Sequence, residues 1–328
     1  MLNIRRWCGF SLIWLIVAMT SFPVWSESNI ESIRAKFREA INNRNYYGEY
    51  TEITFRFGRR QEVSYRVWAW KRALLKQTQS PQWLRGEITY ETENLSLFYI
   101  PALNSGLRLE HSKSDNKKTL SEWRNWIDRV TFAEGETTIA GRPVFNLSGA
   151  EKDLRYRLSI DKEAFYPVAY EIYRKEFLIK SFHFHRFEKI APDFDPIASF
   201  PANVKWYENG TRFWQENSIP RSQQGVNFPI EMPAYLPEGY VFMKATIEEL
   251  SLATAVHLVF EGPEGRKLSV FEREKLSEHQ RFTLNQFQEY TKAGQTFLVH
   301  QWFDNQIHYV LVGSVPLDEL KKIAASFK

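Results

Sequence analysis

The sequence predicts an α+β protein built from antiparallel sheets in two domains. Three observations carry that expectation. Leu154, Tyr156, Leu158 and Ile160 alternate strictly with Arg155, Arg157 and Ser159. This is the period-2 pattern of a half-buried strand, apolar on one face and cationic on the other. The strand lies inside a longer run, Thr138 to Ile190, broken by Gly149, by Asp161-Lys162-Glu163 and by Pro167. Consecutive strands with short turns make a meander, whose apolar face needs a second layer. Past a proline-rich stretch, hairpins and a closing helix recur from about Pro233 onward.

Residues 1–26 read as an export signal rather than as part of the fold. Arg5 and Arg6 form a positive start, Phe10 to Val24 is mainly apolar, and Val24-Trp25-Ser26 supplies a cleavage site. The apolar run is short for a membrane span, which takes about 20 residues. The alternative is an uncleaved anchor. Cys8 is the only cysteine, and cleavage removes it. The mature chain then holds no disulfide, no cysteine nucleophile and no thiolate metal site, and depends on its cores. At 328 residues with 43% hydrophobic and 16% aromatic content, it has the material for two of them.

The formal net charge is +4, and without Arg5 and Arg6 the balance is 41 basic against 39 acidic residues. So even a balance excludes nucleic-acid binding through bulk charge. No glycine-rich phosphate loop and no internal repeat is present.

Along the mature chain, Ile30, Ile33, Phe37 and Ile41 share one helical face, with Ser28 or Asn29 as the cap, predicting a helix over 29–43. Tyr47 to Phe57 reads as a strand, Gly58-Arg59-Arg60 as a turn, and Val63 to Trp70 as the next strand. Leu74 to Thr78, Gly86 to Thr92 and Leu95 to Ile100 continue the sheet. Pro101 and Asn104-Ser105-Gly106 are expected to break it. Ser112 to Lys118 is a polar loop. Thr119-Leu120-Ser121-Glu122 is a capping box for a helix with Trp123, Trp126, Ile127 and Val130 in its apolar stripe. Such a stripe either packs on the sheet or serves as a flap over a cavity. The meander, 138–190, closes the first domain, 29–190.

Pro192, Pro196, Pro201, Pro220 and Pro229 mark 191–232 as a proline-rich linker, with room for a short strand around Val204 to Tyr207. The second domain, 233–328, contains strands at His257 to Phe260 and Leu268 to Phe271, turning at 261–265. A further hairpin pairs Phe297–Trp302 with Ile307–Val312. Pro316 opens the final helix, with Asp318 and Glu319 in its first turn and Lys321 and Lys322 later. Leu317, Leu320, Ile323, Ala324 and Phe327 are its expected buried face.

Catalytic signals are weak. His183 and His185 sit at i and i+2 on a strand and share a face. Two imidazoles suit zinc, but no third ligand is indicated, and Phe182 and Phe184 are better core candidates, which turns both histidines to solvent. There is no Gly-x-Ser-x-Gly and no His-Glu-x-x-His. The chain is expected not to be an enzyme and to need no cofactor or metal. Arg155 and Arg157 read as a solvated face, or as a meeting point for an acidic partner or lipid head groups.

The order of Ile139-Ala140-Gly141-Arg142, the strand ending in Asp161, Tyr166-Pro167-Val168 and the return strand Phe182-His183-Phe184-His185 resembles the MucB/RseB family. Leu236-Pro237-Glu238-Gly239-Tyr240 and Val312-Gly313-Ser314-Val315-Pro316 with its helix are again similar to that family, so the resemblance covers roughly 45–328. It implies a first domain similar to the carriers LolA and LolB, a curved antiparallel half-barrel with helices over the concave face, and a smaller α+β second domain. It also implies an apolar cavity, for which Phe55, Phe57, Tyr65, Val67, Leu97, Tyr99, Trp123 and Trp126 are the candidate lining. The function implied is an exported, non-enzymatic negative regulator of an extracytoplasmic-function sigma factor pathway. Such a regulator binds the exported part of an anti-sigma factor and senses lipid or envelope stress, and is peripheral to the membrane at most. The alternative is a LolA-like carrier of lipids or lipoprotein acyl chains, for which the second domain is superfluous.

Overall fold

The computed structural model describes residues 27–56, 59–111, 127–128, 130–132, 137–190, 200–249, 253–274, 287–292, 295–304 and 306–327. The segments expected to be an export signal, a polar loop and a capping box all lie outside these residues. The described chain is mostly sheet with three helices, α1 (Glu27–Asn42), α2 (Gly210–Gln223) and α3 (Leu317–Ala324). Among the described residues no helix is long and apolar enough to cross a membrane.

Helix α1 forms where the 3–4 spacing of Ile30, Ile33, Phe37 and Ile41 gives it one apolar face, and all four are buried. It packs on strands β1 (Arg44–Arg56) and β2 (Arg59–Lys71) and on the meander. Each such side chain contributes about 1.5–3 kcal/mol on leaving water, so this face alone anchors the helix. Arg34 holds a second segment beside it, donating from Nε to the Ile127 carbonyl at 3.0 Å and from Nη2 to that of Val130 at 2.8 Å. Ile127 and Val130 are buried in the same core.

The large open sheet continues through β3 (Ala73–Ser80), β4 (Ile88–Glu91), β5 (Leu95–Ile100) and β6 (Ser105–Glu110), each antiparallel to the one before. The expected break at 101–106 is instead a single turn. Asn104 takes the left-handed conformation (φ 43°), and the strand resumes at Ser105. On the far side lie β7 (Thr131–Phe132), β8 (Thr137–Ile139), β9 (Arg142–Glu151), β10 (Leu154–Asp161), β11 (Pro167–Arg174) and β12 (Phe177–Lys189). Strand β12 pairs with β1 and joins the two halves. Bulges after Glu49, Ser159 and Ile172 bend the strands, which curves the sheet.

Residues 200–232, read from sequence as linker, are built into the fold. Strand β13 (Lys205–Tyr207) adds in parallel to β6 at the sheet edge. Trp206 lies so close over Gly106 that a Cβ there would stand 2.4 Å from its ring, so the position admits only glycine without a shift. Helix α2 follows, capped by Asn209, whose side chain accepts from the Arg212 N–H at 3.2 Å.

The second sheet has six strands, β14 (Val241–Glu249), β15 (Thr254–Glu261), β16 (Lys267–Glu274), β17 (Phe287–Lys292), β18 (Gln295–Asp304) and β19 (Ile307–Gly313), in the order β14-β15-β16-β19-β18-β17. Val256, Leu258, Phe260, Leu268, Val270 and Leu311 are its fully buried core. Leu320 and Ile323 of α3 cover it, together with Phe228. Leu317, expected on that buried face, is 40% exposed, because the helix begins there and its first turn projects past the sheet.

Helix α2 touches both sheets. Arg221 forms a two-point ion pair with Glu87, with Nη2 to Oε2 at 3.0 Å, against the rings of Trp83, Phe98 and Trp214. One turn back, Ser218 Oγ accepts from the Ala245 N–H at 2.8 Å and Gln215 donates to the Phe242 carbonyl at 2.8 Å, both on β14.

Candidate functional site

The residues proposed to line one cavity fall on two faces of the sheet. Register decides this. Val67 stands opposite Gly48 on β1 and Lys76 on β3, and the row continues through Thr89 to Phe98. Val67 and Tyr65 therefore belong to the face covered by α1, where Val67 is 1% exposed. Leu97 and Tyr99 project to the opposite face, with Leu75, Ile88 and Tyr90, under Phe200, Val204 and Trp206. Phe55, two residues on from Ile53 and five from Tyr50, also stands on the face away from Tyr65. Phe57, Trp123 and Trp126 lie outside the described residues. Alternation along each strand was read correctly, but it does not say which alternate set on β2 shares a face with which set on β5.

The paired histidines behave as the alternation requires. Phe182 and Phe184 are buried, while His183 and His185 are exposed on the other face. His185 Nε2 lies 2.9 Å from Thr51 Oγ1. Burial, then the neighbouring His185, lowers the pKa of His183 and favours its neutral form. No cluster of three or more metal-ligating side chains occurs among the described residues. Arg155 and Arg157 are solvent-facing, paired with Glu176 and Glu171 and placed over the ring of Tyr173.

A concave site does form where α1 ends. A pocket of about 250 Å³ is walled by Ala40, Asn43, Asn45, Tyr46, Arg142, Glu163, Ala164, Tyr166, Phe187 and Lys189. Its frame is the Arg142–Asp161 pair. Asp161 is fully buried and takes both the guanidinium, with Nη2 to Oδ1 at 3.0 Å, and the backbone N–H groups of Glu163 and Ala164. Burial pushes the Asp161 carboxyl up, but the hydrogen bonds from Arg142 and from Ala164 outweigh it and hold the pKa below its usual value. Arg142 also reaches Glu163 Oε2 at 2.8 Å and lies over the Phe187 ring. Tyr46 and Tyr166 join through their hydroxyls at 2.7 Å, and Tyr166 stacks on Phe187.

Arg142, Asp161 and Tyr166 are the residues through which the sequence resembles a known family, yet the sequence does not announce that they meet. The only signal is that a strand ends in an acid just before a turn, while an arginine follows a glycine one hairpin earlier. Tyr46, Phe187 and Lys189 carry no signal at all, since each alternates like its neighbours.

No family model and no curated protein matches the chain. Among solved structures it is similar to a crystal structure of MucB, at 13% identity over 92% of this chain and 98% of that one, with a TM-score of 0.40. It is similar also to MucB crystallised in complex with MucA(peri), at 14% identity over 91% and 98%, with a TM-score of 0.37. A LolA superfamily protein from Nitrosomonas europaea matches 52% of this chain and 97% of its own, at 12% identity and a TM-score of 0.26.

Proposed function

We propose that this chain is an exported, non-enzymatic binding protein that restrains an extracytoplasmic-function sigma factor pathway by holding the exported part of a transmembrane anti-sigma factor. The sequence resemblance supplies the partner. The observation that favours this over an acyl-chain carrier is the fastening of a second α+β sheet to the first through α2. A minimal carrier does not need that sheet, whereas a regulator that answers to a signal needs two parts whose arrangement a ligand can bias. The burial of Val67 under α1, and of Leu97 under Phe200, further reduces the apolar room a carrier would use. Regulation of this kind requires only differential affinity and no chemistry on a substrate.

The test is direct. The mature chain is titrated calorimetrically with the purified exported domain of the anti-sigma factor from the same cell. Saturable binding, with slower cleavage of that domain by its regulated protease, is expected. Absence of binding, together with unchanged sigma-dependent transcription on deletion of the gene, would remove the regulatory reading.

A further inference from the structure

The pocket at the end of α1 is not used by the reading above, and we infer that it is a binding site for a small zwitterion, of the class of a free α-amino acid. The inference stands on the walls of the pocket and is independent of the protein partner. Both signs of charge line one small space. Glu163 is bonded to Arg142 through one oxygen only and projects to solvent, with its side chain 85% exposed. Arg142 spends Nε and Nη2 on Asp161 and Glu163, while Nη1 has no hydrogen-bond partner among the described residues. Lys189, directly across from Tyr46 on the paired strand, adds an exposed ammonium. Between them the floor is aromatic, with Tyr46 and Tyr166 at 4.3 Å and Tyr46 and Phe187 at 5.1 Å between ring centres.

Simpler ligands fit less well. An isolated anion meets Glu163, and an isolated cation meets Arg142 and Lys189. A metal finds one exposed carboxylate among cations. An acyl chain would have to desolvate those charges without pairing them, which is costly. The pocket, about 250 Å³, is also smaller than the ~300–1,000 Å³ typical of larger ligands. A zwitterion satisfies all walls together. Its carboxylate pairs with Arg142 Nη1 and Lys189, and such charge-assisted bonds are the strong ones. Its ammonium pairs with Glu163 and lies against the aromatic floor, a placement that ring quadrupoles favour.

The experiment is isothermal titration of the mature full-length chain with glycine and L-alanine, beside N-acetylglycine, glycinamide and inorganic phosphate. Saturable binding of the free amino acids is expected. Each single-charge analogue should bind about tenfold more weakly or worse, as should the free amino acids to Lys189→Ala and to Glu163→Gln, a change of about 1.4 kcal/mol. Both substituted side chains are exposed, so the fold is retained, and circular dichroism checks it. No saturable heat across the millimolar range overturns the proposal. So does equal binding of the analogues or of phosphate, or indifference to both substitutions. None of these results bears on binding of the anti-sigma factor, which is measured separately.

Discussion

Two arginine–carboxylate pairs divide the labour of this molecule. Arg142 and Asp161 are 19 residues apart and tie adjacent strands of one meander. Arg221 and Glu87 are 134 apart and tie α2 to the first sheet. The local pair is reinforced by two backbone N–H groups, and its acid is held below its usual pKa. The distant pair has rings around it instead, and burial raises the pKa of Glu87 despite the hydrogen bond from Arg221. One carboxylate sits in a site preorganised for its charge. The other depends on a single partner delivered by a helix from elsewhere in the chain. A buried charge with one partner is fragile, because losing that partner leaves it stranded.

That contrast can be broken directly. Arg221→Ala leaves Glu87 buried and unpaired, and about 3–5 kcal/mol of stability should be lost. Thermal melts followed by tryptophan fluorescence should show it, and the double substitution Arg221→Met with Glu87→Leu should recover most of the loss. If the single change is silent, the pair is not what fastens α2. Asp161→Ala should cost less, about 2–3 kcal/mol, since it removes hydrogen bonds from a turn while Arg142 can turn to solvent. Urea titration measures the loss, and limited proteolysis should locate new cleavage at 162–166 with α2 still protected.

Acid should separate the two pairs by sign. The Asp161 contribution is present above its usual pKa of 3.8 and is lost as pH falls through its lowered value. Glu87, with a raised pKa, contributes more as pH falls through that raised value to its usual 4.5, before the Asp161 loss begins. A third buried acid extends the comparison into the second sheet. Glu272 is fully buried, accepts one N–H from Glu231, and has its pKa pushed up to about 8, first by burial. It favours the folded state fully below 4.5, and that contribution declines as pH rises to about 8. Glu272→Gln should flatten this decline, whose slope is at most about 1.4 kcal/mol per pH unit. A pH series of urea midpoints checks it, and an unchanged slope would mean that Glu272 is ionised throughout. The smallest effect is expected at Arg157→Ala. This exposed pair with Glu171 should be worth under about 1 kcal/mol in the same assay.

The fate of α2 shows what a sequence does and does not make legible. Strands β10 and β12 were readable because one face is buried and the other wet, so Tyr156, Leu158, Phe182 and Phe184 alternate with charges. The closing helix was readable for the same reason at helical period, apart from Leu317. The buried positions of α2 are Phe213, Asn217, Ser218 and Ser222, three of them polar, with Asn217 and Ser218 held by specific partners, as Ser105 donates to Asn217 at 2.8 Å. A face held by hydrogen bonds has no hydrophobic period, and Pro220 inside it imitates a breaker. The same limit applied to the site. Alternation sorted Val67 from Trp68, but the lining set mixed faces because pairing across β2 to β5 puts Phe98, not Leu97, in the row of Val67.

Strand β13 has a consequence for how the molecule is made. A chain is synthesised from its N-terminus, and β6 emerges about a hundred residues before the segment that pairs with it. Until Lys205–Tyr207 follow, the first sheet presents β6 as a bare edge, with Leu97 and Tyr99 lacking the cover of Phe200 and Trp206. Such an edge invites pairing with another chain, so nascent molecules need either dilution or a holding chaperone during that interval. A recombinant fragment ending at Lys189 would stay in that state permanently, whereas one carried to Gln223 brings its own edge strand and helix.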